Sequence, residues 1–70
     1  MAYYRVWLGD GTESYWVAAN SEEQARKLVS LNVFEGDNED ELDCSLDLGM
    51  TLPEGVIVSS VGSNFTIIKT

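Results

Sequence analysis

The residues available for chemistry are twelve carboxylates, one thiol and a set of aromatic rings near the start of the chain, with no histidine among 70 residues. General acid–base work most often employs histidine, and without it neither a Ser-His nor a Cys-His pair can be built. Cys44 lies in an alternating apolar pattern, where a buried, inert thiol is expected. Carboxylates are plentiful, yet no two are set apart in the separate environments that an acid and a base require. Gly9-Asp10-Gly11 reads as a hairpin turn and not as a phosphate-cradling loop. A single cysteine permits no intrachain disulfide, and without histidine it excludes a structural zinc site. The expectation is a protein that is not an enzyme and carries no cofactor or metal.

Recognition chemistry remains, in two groups. The first is Tyr3, Arg5, Trp7 and Trp16. If the first two strands form a hairpin turning at Asp10-Gly11, these four share one sheet face, opposite Tyr4, Val6, Leu8, Tyr15 and Val17. The more branched set suits the core, and one short helix covers only one face. Trp, Tyr and Arg are enriched at binding hot spots, so a partner-binding surface is expected there. The alternatives are burial by later strands, or cross-strand pairs that only stabilise the hairpin.

The second group is the acidic set Asp37, Glu39, Asp40, Glu41, Asp43 and Asp47. It fails the EF-hand pattern, because Leu42 stands at the glycine position and Leu48 at the bidentate-glutamate position; that leaves weak cation binding at most. A close row of carboxylates can instead imitate a line of phosphates in a basic groove. The net charge of −8 is lopsided: residues 28–70 carry eight acids against Lys69 alone. Such asymmetry steers a protein toward a basic partner, although it also serves solubility. Direct nucleic-acid binding is disfavoured, since phosphate contacts need Lys and Arg.

The elements that must position these residues follow in order. Tyr3 to Leu8 and Glu13 to Ala19 read as a hairpin, with Val6 opposite Tyr15, Tyr4 opposite Val17 and Arg5 opposite Trp16. Ser21 with Gln24 forms a capping box for a helix from Glu22 to about Leu31. Glu22 and Glu23 precede Arg26 and Lys27 by four residues, the better orientation for helical ion pairs. Ala25, Leu28, Val29 and Asn32 share its inner face. A loop spans 35–41. Leu42, Cys44, Leu46 and Leu48 then alternate with polar residues as in a half-buried strand; a short helix capped by Asn38 competes. Residues 49–55 connect to a strand from Val56 to Val61, a turn at Gly62-Ser63-Asn64 and a last strand from Phe65 to Lys69.

The expected fold is a single α+β domain over residues 1–70, a mostly antiparallel sheet with one helix on one face. No basic leader with an apolar run and no bilayer-length segment is present, so a complete, cytoplasmic, membrane-free protein is expected.

The aromatic hairpin, the helix with small and aliphatic residues, and the run Leu52-Pro53-Glu54-Gly55-Val56-Ile57-Val58-Ser59-Ser60-Val61 resemble the small RNA polymerase inhibitor of T-odd podophages. That family's final strand begins with a similar apolar-Pro-x-Gly-apolar-x-Val run. Ser59, Ser60 and Gly62 stand where the family carries arginines used for docking, and the acidic stretch and the Phe65–Lys69 strand have no counterpart in it. The resemblance implies a phage-type inhibitor in the host cytoplasm. Its partner would be a basic nucleic-acid enzyme, RNA polymerase or a defence nuclease, blocked by occlusion or phosphate imitation. The alternative is a structural module that forms a homodimer through its aromatic face.

Overall fold

Alternation of aromatic and branched residues on either side of a glycine-rich turn makes the first hairpin. In the computed structural model, which describes residues 2–47, 49, 51–53, 55–61 and 64–69, strands β1 (Ala2–Leu8) and β2 (Glu13–Ala19) pair antiparallel. Tyr4 lies opposite Val17, Arg5 opposite Trp16 and Val6 opposite Tyr15, as the sequence predicts. The connection differs from the expected two-residue turn: it spans residues 9–12, with positive φ at Gly9 (+70°) and Gly11 (+80°) but not at Asp10. A type I′ turn centred on Asp10-Gly11 needs positive φ at both. The Asp10 carboxylate instead accepts hydrogen bonds from the Thr12 backbone N–H, at 3.0 Å, and the Thr12 hydroxyl. Lengthening the loop by one residue on each side leaves the register unchanged.

Helix α1 (Glu22–Val33) starts where Ser21 Oγ accepts from the Gln24 N–H at 3.1 Å. The Gln24 side chain reaches back past the cap to the Asn20 N–H, at 2.6 Å. Glu22 and Arg26 form an ion pair at 3.9 Å. The helix runs to Val33, beyond the expected end at Leu31. Val33 and Phe34 lengthen its apolar side, and the Phe34 ring meets Tyr15 edge-on with centroids 5.9 Å apart. Ala25 and Val29 are fully buried and Leu28 packs beside them. Asn32, expected on this inner face, is exposed and donates to the Leu28 carbonyl; Ser30 is buried, its hydroxyl donating to the Asp37 carbonyl at 2.8 Å.

Alternation prevails over the competing helix at residues 42–46. Strand β3 (Leu42–Leu46) pairs antiparallel with β1, and only a 3₁₀ turn at Glu39–Glu41 precedes it, with Asn38 left-handed and making no side-chain cap. Leu48, the last member of that pattern, lies outside the described residues, as does the Gly62-Ser63 part of the expected turn. Strands β4 (Ile57–Val61) and β5 (Asn64–Lys69) complete a five-stranded antiparallel sheet in the order β3-β1-β2-β4-β5.

The result is an α+β fold with the helix on one side of the sheet. Its core is the helix-facing set Tyr4, Val6, Tyr15, Val17, Ala19, Leu42 and Ile57, with Ala25 and Val29 from the helix. Among the described residues, no helix is long and apolar enough to cross a membrane.

Candidate functional site

Because successive strand residues point to opposite sides, packing Tyr4, Val6, Tyr15 and Val17 under the helix turns their neighbours the other way. Tyr3, Arg5 and Trp7 of β1 and Trp16 of β2 therefore share the open face, and all four are half-buried. No described helix or strand lies over this face; the later strands extend the sheet sideways. Covering by later strands, one alternative from the sequence, does not occur among the described residues.

The four residues are held in a set arrangement. The Arg5 guanidinium carbon sits 4.7 Å from the centroid of the Trp7 ring, and Arg5 Nε donates to Ser14 Oγ at 3.0 Å. Arg5 thus stacks on its own strand's tryptophan, although its cross-strand neighbour is Trp16. Gly11 lies beside the pair: a Cβ there would only touch Trp7 Cδ1 at 3.4 Å and Arg5 Nη2 at 3.5 Å, and it is the φ of +80° that favours glycine. Trp16 reaches across β1, its indole Nε1 donating to Asp47 Oδ2 at 2.8 Å. On its other side its ring lies 5.4 Å from the Phe65 ring.

Phe65 and Ile67 belong to this face but were not among the sequence candidates. Through the β4–β5 register, Ser60 faces Phe65 and Val58 faces both Trp16 and Ile67. Val58 is only 7% exposed although it points away from the helix, while Phe65 and Ile67 stand about 60% exposed above it. The alternation of Phe65 and Ile67 was legible; that β4 pairs with β2 was not, because strand order is a non-local property.

The acidic candidates divide. Asp43 and Asp47 lie on the β3 margin of the open face, Asp43 level with Trp7 and Asp47 hydrogen-bonded to Trp16. Asp37, Glu39, Asp40 and Glu41 lie in the connection between α1 and β3, at the end of the sheet where Leu42 meets Leu8. The bonds from Trp16 and from the Gly49 N–H hold the Asp47 carboxyl below its ordinary range. Among the described residues, no three Cys, Asp or Glu side chains are grouped so as to hold a metal ion.

No protein-family model, curated protein or solved structure matches the chain.

Two features lie off this face. Cys44 faces the core side opposite Val6 and is half-buried; burial, with a smaller contribution from the Glu22 charge, pushes its thiol up to about 11, so it stays protonated at neutral pH. A shallow pocket of about 260 Å³ lies at the hairpin end, lined by Leu8, Asp10, Thr12, Glu13, Tyr15 and Phe34. Glu13 there accepts from the Tyr15 hydroxyl and Asp10 from Thr12, so both carboxylates already have partners within the chain.

Proposed function

We propose that this protein is a non-catalytic binding module that seats its open sheet face on a basic protein surface. The partner class that fits is a nucleic-acid enzyme, which it inhibits by occupying the place of the nucleic acid. The observation that carries the reading is the pre-arranged series Asp47, Trp16 and Phe65 lying across the sheet beside the Arg5–Trp7 stack. Rings fixed before binding lose little freedom on docking, which leaves more of the contact energy as affinity. Trp, Tyr and Arg at the centre, with polar residues at the margin, match the make-up of a hot spot and its rim.

Charge supports the partner class. The net charge of −8 draws the chain toward a cationic surface, and Asp43 and Asp47 bring negative charge to the margin of the face itself. With Arg5 the one cation in the two strands of the hairpin, the chain is ill-suited to bind phosphate itself.

Affinity capture from a bacterial lysate, followed by challenge with duplex oligonucleotide, tests the reading. A captured nucleic-acid enzyme that is lost with Trp7→Ala and released by the duplex is the expected result. Capture indifferent to Trp7→Ala contradicts docking through this face, and a complex that duplex leaves intact contradicts competition with nucleic acid.

A further inference from the structure

The sheet has two edges, β3 and β5, and they are finished differently. A strand edge presents unpaired N–H and C=O groups, which natural proteins guard with charge, bulges or cover. The β3 edge carries Asp43 on the strand and Asp47 just beyond it, directly after Glu39, Asp40 and Glu41. On β5 such guards come only at the far end, where the register shift and Lys69 lie; Asn64–Ile67 carries no charge. Neither β4 nor β5 contains an aspartate or glutamate, and Lys69 at the far end of β5 is their only ionisable residue. Phe65, Ile67 and Ile68 are 60%, 61% and 41% exposed, so three of the five large apolar side chains exposed among the described residues lie on this one strand.

We infer that the β5 edge pairs antiparallel with β5 of a second copy of this chain, joining two five-stranded sheets into one. This inference does not rest on the proposed function, although Phe65 and Ile67, which flank the seam, also belong to the open face. Charge selects the occupant. A basic partner finds no carboxylate on β5 to complement, whereas a second β5 meets no carboxylate on β4 or β5; Asp43 and Asp47 sit at the opposite edge.

Side-chain direction selects the register. Phe65 and Ile67 point to the open face, so a pairing centred on Thr66 sets Phe65 of each copy against Ile67 of the other on that face. Aromatic rings against β-branched side chains are favourable cross-strand pairs. The register shift opposite Ile57 and Val58 interrupts the strand after Ile67, which limits the regular edge to its first half. So short a ladder buries well below the roughly 800 Å² per partner of a standard interface. The dimer is therefore concentration-dependent, and the contact is two-fold and self-closing because the guarded β3 edges do not extend it.

Sedimentation equilibrium of the purified chain, from micromolar to millimolar, tests this, with circular dichroism as the check on folding. The wild type is expected to pass from monomer to dimer. Ile67→Lys should raise the dissociation constant by about ten-fold or more, the worth of the two Phe65–Ile67 cross-strand contacts that the two-fold pairing loses. Leu46→Lys, on the β3 edge, should leave it within about two-fold. Should Ile67→Lys disturb the fold, Ile67→Pro, which removes a backbone donor that faces the seam, takes its place. A wild type that stays monomeric throughout overturns the inference. So does a dimer that Leu46→Lys or Trp7→Ala weakens while Ile67→Lys does not, and so does growth to higher oligomers.

Discussion

Trp7 and Trp16 share a face, but their surroundings give them different work. Trp16 donates to Asp47, lies against Phe65 and faces the buried Val58, so its removal strips several contacts from the fold. Trp7 carries the Arg5 guanidinium on its ring, an interaction worth about 0.5–1 kcal/mol at an exposed site. Trp16→Ala is therefore expected to cost about 3 kcal/mol, the low end for a large aromatic truncation, and Trp7→Ala about 1 kcal/mol. Urea unfolding of the two variants checks this, and equal losses would show that Trp16 is not the anchored ring.

Cys44 gives a pH prediction. Its thiol is held in the protonated form by burial, with the folded-state value near 11 against an ordinary 9.0. A group raised on folding contributes stability that is intact below its unfolded value and lost as pH climbs through the folded one. Stability should thus be flat with respect to Cys44 up to about pH 9 and fall between 9 and 11. Cys44→Ala should remove that component of the fall in urea melts, and an unchanged slope would contradict it.

At the scale of elements, the parts legible in the sequence are those fixed by neighbours along the chain. The Tyr3–Leu8 and Glu13–Ala19 alternation gives the hairpin register, and Ser21 with Gln24 gives the start of the helix. Ser21→Ala should cost about 1 kcal/mol, the worth of an N-cap, and thermal unfolding that does not shift would remove Ser21 from that role. Loop length was not legible, because two- and four-residue turns share one register here. The end of the helix was misjudged because Val33 and Phe34 gain burial from the sheet, which their sequence neighbours do not reveal. Tyr3, Arg5, Trp7 and Trp16 could be grouped from local pairing alone. Phe65 and Ile67 could join them only once β4 was known to lie beside β2.

Among the described residues, one helix on a five-stranded sheet leaves one sheet face without a second layer, and large rings, Trp16 against Phe65, pack there. Val58, Ser60 and Ala18, on the same face, are buried. Charge is distributed to match: acids gather at β3 and the connection before it, while β4 and β5 have none. The aromatic face and the acidic margin are thus adjacent. Association with a cationic partner should weaken as salt rises, because the exposed charges that steer encounter are screened beyond about 10 Å at 0.1 M.

The central claim is that the open face, and not the helix side, is the binding surface. Titration calorimetry of the captured partner against wild type, Trp7→Ala and Leu31→Ala tests it most directly, with melting temperature measured on the same samples. Leu31 is the control because it is 57% exposed on the helix. The account predicts that Trp7→Ala weakens binding by about thirty-fold or more, the scale of a hot-spot loss. It predicts that Leu31→Ala leaves affinity unchanged and that all three proteins remain folded. Affinity that falls with Leu31→Ala and survives Trp7→Ala would contradict it, and would move the binding surface to the helix.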